Sequence, residues 1–263
     1  MSKTTRWVFL LLLMMGFSVS SWAGSLTLRM AYIDTDAVPF KWKENGNGVG
    51  PIMDIMAETA RRSGVDAVFV PLPAKRIDAY LAAGKIDGAF GLSRRGSRDR
   101  IAVFFDPPIG LLDAHLFVVR GNEFPFTKIE DLFGRTIGGV RGLVFGNEFD
   151  AGVAAGKIIL EDASTYEALL KKLVWGRVNI VASPTPVLQY HIAKMGLTDE
   201  VVKLPHPLRP IFGLHIVVSK ASETYKKPEL MEKMAAAVQA MGRENRFDAI
   251  YKGYGYTYNT PEE

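Results

Sequence analysis

The chemistry that this sequence suggests most directly is the binding of a carboxylate by a guanidinium. Four arginines, Arg94, Arg95, Arg98 and Arg100, follow the apolar stretch that ends at Ser93. A guanidinium is a planar fork that donates two parallel hydrogen bonds to one carboxylate, and a site shielded from water strengthens them. At most one or two of the four side chains can point inward, so a solvated basic loop is the alternative.

Patterns for catalysis or metal binding are missing from the sequence. There is no Ser-His-Asp order, no G-x-S-x-G, no phosphate loop and no metal-ligand spacing among the four scattered histidines. The chain has no cysteine, which excludes a disulfide scaffold and a thiolate metal site. We therefore expect no cofactor, no metal and no enzymatic activity. Glu148 is the one residue that an enzymatic alternative could use as an acid or base.

The N-terminus predicts export. Lys3 and Arg6 precede an apolar stretch over residues 7–17, and Ser21 and Ala23 are small residues at the two positions that a signal peptidase reads. We interpret residues 1–23 as a cleaved signal peptide and expect a periplasmic protein. An uncleaved anchor is the alternative, although the stretch is shorter than the ~20 apolar residues of a spanning helix. No later segment is long and apolar enough to span.

Charge and size exclude some classes of partner. Removal of residues 1–23 takes away two bases and no acid, so the formal net charge falls from +4 to +2. A nearly neutral chain gives no electrostatic reason to bind nucleic acid. The remaining chain is long enough for one large core or two smaller ones, and we expect a monomer.

A repeated phrase indicates two similar halves. Leu81, Gly84, Lys85, Ile86 and Asp87 return as Leu173, Gly176, Arg177, Val178 and Asn179. Each copy ends an amphipathic helical pattern and precedes an apolar run. Two halves that face each other form a cleft, where small ligands commonly bind.

The elements around these phrases alternate between strand and helix in both halves. The first half shows strands over residues 25–32, 65–70 and 86–92 with helices over 51–62 and 74–83. The second half repeats the scheme with strands over 136–140, 157–160 and 179–182 and helices over 144–155, 165–174 and 185–195. This β-α-β-α-β order predicts a mostly parallel sheet flanked by helices in each half.

Two apolar segments, 115–119 and 214–218, flank the second half. We interpret them as two hinge strands through which the chain enters and leaves a second lobe. The predicted first lobe is then discontinuous, with residues 24–114 and 218–263, and the second lobe spans 115–217. A final helix over residues 228–251 would pack back on the first lobe.

The order of several short motifs resembles the type 2 periplasmic solute-binding proteins, in particular the amino-acid-binding branch, family 3, that serves ABC importers. The similarity runs over essentially the whole mature chain. The motifs that carry it are Pro39-Phe40, Gly50, Asp54, Leu81 to Asp87, Ser93 to Arg98, Phe105-Asp106-Pro107, Asp131-Leu132 with Gly134, and Ile250 with Lys252-Gly253.

The resemblance implies a two-lobed fold that closes on a small carboxylate-bearing ligand and delivers it to an ABC permease at the inner membrane. Arg98 would grip the carboxylate with help from Ser93. Tyr32, Phe40 and Trp42 occupy positions where the family encloses its ligand with side chains, although for Phe40 a place in the core is favoured. Arg76 faces either the cleft or solvent.

The second half departs from the family pattern. Gly142 is followed by Leu143 rather than by the usual Ser and Thr, and the expected Asp falls at or near Ser183. Gly142, Leu143 and Ser183 are the predicted contacts on this side. Because no acid matches the ligand's ammonium, an organic acid or modified amino acid is nearly as well supported as an amino acid. A cyclohexadienyl-dehydratase-like enzyme and a stand-alone sensor for a membrane receptor are the functional alternatives.

Overall fold

The computed structural model describes residues 26–143 and 145–258. The predicted signal peptide, residues 1–23, lies outside them. The described strands are β1 (Thr27–Ile33), β2 (Trp42–Glu44), β3 (Asn47–Val49), β4 (Asp66–Leu72), β5 (Gly88–Ser93), β6 (Ala102–Phe104), β7 (Gly110–Val119), β8 (Thr136–Val140), β9 (Ile159–Ala163), β10 (Ile180–Pro184), β11 (Val201–Lys203) and β12 (Arg209–Ser219). The described α-helices are α1 (Pro51–Arg62), α2 (Ala74–Ala82), α3 (Gly96–Asp99), α4 (Asn147–Ala154), α5 (Tyr166–Val174), α6 (Thr185–Lys194), α7 (Pro228–Arg243) and α8 (Arg246–Gly253).

The sheet has two parallel parts on either side of an antiparallel centre. Its strand order is β4-β1-β5-β12-β7-β10-β8-β9, with β6 and β11 paired beside β12 and β7. The strands β4, β1 and β5 are parallel, and so are β10, β8 and β9. The fold is the predicted two-lobed α/β fold, in which helices flank a mostly parallel sheet in each lobe.

The strands β7 and β12 connect the two parts. Within β7, residues 110–114 pair with β12, and residues 114–117 pair with β10 of the second lobe. Within β12, residues 214–218 pair with β5 of the first lobe. The predicted hinge segments 115–119 and 214–218 lie inside these longer strands, and the residue at which each lobe ends stays a prediction.

Local sequence explains where several helices begin and which face they bury. α1 starts at Pro51, whose fixed φ suits the first helical position. It buries Ile52, Ile55 and Met56 at helical spacing. The Thr165 hydroxyl caps α5 by accepting a hydrogen bond from the Ala168 backbone N–H at 3.1 Å. None of the helices among residues 26–143 and 145–258 is long and apolar enough to cross a membrane.

The single final helix predicted over residues 228–251 is wrong. The chain forms α7 and α8, which are separated at Glu244 and Asn245. Asn245 has φ 52°, in the left-handed region that asparagine tolerates better than most residues, and this interrupts the helix. The tail still packs on the first lobe, since Tyr251 is fully buried and its hydroxyl donates to the Ile109 carbonyl at 3.1 Å.

Candidate ligand-binding site

A cavity of about 110 Å³ lies between the two lobes. One water needs roughly 10–15 Å³ of such space, so the cavity has room for a small solute. Most of the residues that line it are apolar, and both lobes contribute. They are Ile33, Thr35, Ala37, Phe40, Lys41, Ile52, Ala74, Ile77, Gly91, Leu92, Ser93, Arg95, Arg98, Leu112, Gly142, Leu143, Phe145, Tyr166, Pro184, Val187, Phe212 and Leu214.

Arg98 is held in the wall of this cavity by hydrogen bonds on two sides of its guanidinium. It lies on the one-turn helix α3, just after β5 ends at Ser93. Its Nε donates to Asp78 Oδ1 at 2.9 Å and its Nη1 to the Ser93 carbonyl at 2.7 Å. Burial lowers the pKa of Arg98 to about 10, so the side chain stays charged at neutral pH. The guanidinium is therefore fixed in orientation and still cationic.

A second arginine shares the same carboxylate. Arg95 pairs with Asp78 Oδ2, and it also lines the cavity. Burial lowers the pKa of Arg95, and the charge of Arg98 lowers it further. Two guanidiniums against one carboxylate leave a net positive charge at this end of the cavity. The neighbouring Arg94 and Arg100 are exposed.

A third arginine, Arg209, contacts the residues at the end of β5 from the other side. Arg209, at the start of β12, donates to Ser93 Oγ at 3.3 Å and to the Arg94 carbonyl at 3.4 Å. Its guanidinium carbon lies 3.6 Å from the centroid of the Phe212 ring, a cation–π contact. Because Phe212 lines the cavity, Arg209 positions both Ser93 and an apolar part of the wall.

Lys41 is the buried cation on a different part of the wall. Lys41 is 7% exposed. Its Nζ donates to the Thr35 carbonyl and lies 5.6 Å from the centroid of the Tyr32 ring. Burial lowers the pKa of Lys41 to about 8, although Asp36 and Asp34 oppose the shift. The ammonium is thus mostly protonated at pH 7, and its charge is poorly solvated.

Replacing Lys41 with methionine should stabilise the protein by about 1–3 kcal/mol at pH 7. A fall in the lysine pKa from 10.5 to about 8 corresponds to roughly 3 kcal/mol, from which the lost bond to Thr35 subtracts. Below pH 8, Lys41 is charged in both the folded and the unfolded state, so its burial lowers the free energy of unfolding by the full amount. Between pH 8 and 10.5 the unfolded chain binds more protons, and the wild type gains stability with rising pH. The advantage of the variant should therefore disappear by about pH 10.5.

Urea unfolding of both proteins at a series of pH values measures this difference. Lys43→Met is the matched control, because Lys43 is exposed and its Nζ pairs with Asp34 at 2.6 Å. We expect it to give no stabilisation. An advantage of Lys41→Met that stayed constant from pH 7 to pH 10.5 would contradict the buried charge.

The second lobe reaches the cavity through the loop after β8, through α5, and through the junction of β10 with α6. Gly142, Leu143 and Phe145 line the cavity, and the Phe145 backbone N–H donates to Asp150 Oδ1 at 3.2 Å. Burial raises the pKa of Asp150, while that hydrogen bond and Arg95 oppose the rise. Asp150 therefore fixes the loop that presents these apolar residues.

The two lobes approach closely beside this loop. A Cβ on Gly142 would lie 2.8 Å from Ala74 Cβ of α2, and Gly142 itself has φ +84°. Lys75 Nζ lies 3.5 Å from Asp162 Oδ2, which also accepts from Arg141 at 3.1 Å. The structure thus has the lobes in contact across the mouth of the cavity.

The structure brings together five of the nine residues predicted for the site. Phe40, Ser93, Arg98, Gly142 and Leu143 line the cavity. Phe40 is also a core residue, 4% exposed, whose ring lies edge-on to that of Tyr251. Their contact with a ligand stays a prediction.

The other four predicted residues do not line the cavity. Tyr32 packs against Phe90, with ring centroids 5.8 Å apart. Trp42 lies edge-on to Tyr254 and Tyr256 of the C-terminal segment.

The remaining two lie at the surface and in the core. Arg76 is exposed. Ser183 is fully buried, and its hydroxyl donates to the Pro184 carbonyl at 3.2 Å. Glu148, the candidate for an enzymatic acid or base, is exposed and is not among the lining residues.

Sequence reasoning did not single out Lys41, Arg209, Tyr166 or Phe212. Lys41 and Lys43 alternate with Phe40 and Trp42, so nothing local distinguishes the buried lysine from the exposed one. Tyr166 begins α5 as an ordinary apolar position.

Comparison with known sequences identifies the class of protein to which this arrangement belongs. A sequence profile of the family described as bacterial extracellular solute-binding proteins, family 3, matches residues 29–257. The chain belongs to this family. In this family 3 protein, the cavity between the two lobes is the candidate site for a solute.

Three similar proteins illustrate the range of relatives. The Bacillus subtilis (strain 168) protein YxeM, described as a probable amino-acid-binding protein, is 24% identical over 220 residues, which are 84% of this chain and 79% of that protein. A solved structure of an ancestral arginine-binding protein bound to arginine aligns with a TM-score of 0.71 at 24% identity, over 87% of this chain and 97% of that one. An ancestral amino-acid-binding protein, described as a precursor of cyclohexadienyl dehydratase, aligns with a TM-score of 0.67 at 24% identity, over 87% and 95%. These structures share the fold of the family 3 protein.

Proposed function

We propose that this protein binds a small carboxylate-bearing molecule, an amino acid or a related organic acid, in the cavity between its lobes. The observation that carries the proposal is a cavity walled by both lobes, with the fixed guanidinium of Arg98 beside Ser93. The description of YxeM as a probable amino-acid-binding protein supports the class of ligand. Binding drives closure only through contacts that the ligand gains in the closed form.

The proposed destination of the ligand is an ABC permease at the inner membrane, and the proposed location of the protein is the periplasm. Membership of an extracellular solute-binding family supports both. The enzymatic alternative has support from the ancestral neighbour. It has none from Glu148, which does not line the cavity.

Three measurements test the proposal. A thermal-shift panel of amino acids and organic acids should show stabilisation by at least one carboxylate, and small-angle scattering with that compound should show a more compact particle. Deletion of the gene should then reduce uptake of the labelled compound by cells. A compound that binds without a carboxylate, or with no change in compactness, would contradict the proposed capture, and unchanged uptake would contradict the delivery.

A further inference from the structure

The polar side chains around the cavity are cations and hydroxyl groups. Among the described lining residues, Lys41, Arg95 and Arg98 are cationic. Thr35, Ser93 and Tyr166 carry hydroxyl groups. No described lining residue has a carboxylate. An amino acid brings an ammonium group with three donors and no acceptor, and its burial is unfavourable unless acceptors meet it.

Three acceptors near the cavity are already occupied by the protein's own cations. The Thr35 carbonyl accepts from Lys41, and the Ser93 carbonyl accepts from Arg98 at 2.7 Å. The Asp78 carboxylate is shared between Arg95 and Arg98. A ligand ammonium that used one of these three acceptors would compete with the cation already bound there and would lie beside like charges.

The rest of the cavity favours an apolar body. Ile33 and Ile77 contribute from the first lobe, and Leu143 and Phe145 contribute from the second. Burying apolar surface between them is favourable in proportion to the area removed from water. The described lining therefore combines a cationic end with an apolar enclosure.

We propose, building on the function proposed above, that the ligand is an apolar carboxylic acid with an oxygen acceptor at C2, as in a 2-oxo acid, instead of an ammonium group. The carboxylate lies against Arg98, and the C2 oxygen accepts from Lys41. Arginine, to which the similar ancestral protein is bound, carries an ammonium and a guanidinium and is not a ligand of this cavity.

Matched compounds that differ only at C2 test this assignment. We would measure calorimetric affinities of the protein, as residues 24–263, for leucine, 4-methyl-2-oxopentanoate and 4-methylpentanoate. The same would be done for phenylalanine, phenylpyruvate and 3-phenylpropanoate, with arginine as a further probe. In at least one series the 2-oxo acid should bind about tenfold or more tighter than the amino acid, with the unsubstituted acid between them, because a hydrogen bond to a charged group contributes this much. Arginine should not bind.

Lys41→Met tests the role proposed for the ammonium group of Lys41, which is to donate to the C2 oxygen of the ligand. In this variant the 2-oxo acid should fall to the affinity of the unsubstituted acid, whereas Lys43→Met should leave the preference unchanged. If the preference for the 2-oxo acid survives in Lys41→Met, the role of Lys41 is overturned.

The remaining outcomes separate this inference from the proposed function. An amino acid or arginine that binds as tightly as any 2-oxo acid, with loss in Arg98→Ala, overturns the inference and leaves carboxylate capture intact. If no acid of either series binds, the inference fails. If no carboxylate of the thermal-shift panel binds either, the proposed function fails with it.

Discussion

Arg98→Ala should weaken binding of the strongest carboxylate in the thermal-shift panel by about 30- to 100-fold. A hydrogen bond to a charged group contributes roughly 1.5–3 kcal/mol, and every 1.4 kcal/mol corresponds to a tenfold change in affinity. The alanine removes the fork that the carboxylate would meet. The fold should survive, because Asp78 keeps Arg95 as a partner. Calorimetric titration of the purified variant measures the loss, and its thermal unfolding confirms that it is folded.

Two further variants sharpen this test. Arg98→Lys retains the charge without the planar fork, so we expect an intermediate loss of about tenfold. Arg94→Ala is the matched control from the same loop, since Arg94 is exposed and pairs at 2.7 Å with Asp106, which is also exposed. The affinity of Arg94→Ala for the ligand should change less than about threefold, because an exposed ion pair contributes little. If Arg98→Ala is folded and binds the ligand with unchanged affinity, Arg98 is not part of the site.

Gly142→Ala should weaken ligand binding by about 5- to 100-fold through its effect on closure. The added Cβ would lie 2.8 Å from Ala74 Cβ in the opposite lobe and 3.4 Å from the Lys75 backbone nitrogen. Overpacking of this kind costs about 1–3 kcal/mol, and here it acts only when the lobes touch. Scattering with saturating ligand should show a less compact particle than the wild type.

Gly134→Ala separates this effect from backbone strain. Gly134 has φ +76°, close to the φ +84° of Gly142, but no neighbouring atom lies within 4 Å of its added Cβ. Both alanines should lower the free energy of unfolding by about 1–2 kcal/mol, since an L-residue is strained in the left-handed region. Only Gly142→Ala should lose affinity, and equal losses in the two variants would reject the steric account of closure.

The elements of the fold were predictable because their signals are local. β8 spans residues 136–140, as its apolar run predicts, and α1 begins at Pro51. The break between α7 and α8 was not predictable in this way. Phe247 and Ile250 are buried like the apolar residues of α7, so hydrophobic spacing continues past the break. The interruption depends on the single backbone conformation of Asn245.

The site was predictable in part for the same reason. Ser93 ends β5 and Arg98 follows it at a short spacing, so a local pattern brings them together. Lys41 instead lies in the cavity wall because its Nζ donates to the Thr35 carbonyl and because its loop packs there. Trp42 instead packs on Tyr254 and Tyr256, more than two hundred positions along the chain, and no nearby residue indicates this.

The pairing of β12 with β5 has a consequence for the order of assembly. Leu214 pairs with Ser93, so the edge of β5 is covered by a strand from far later in the chain. The parallel strands β8, β9 and β10 of the second lobe are close in sequence, and short loops close at a lower entropic cost. Because folding slows as contacts become less local, we expect the inserted lobe to fold before the first lobe completes its sheet. The residues that cover the edge of β5 thus belong to one of the two strands that connect the lobes.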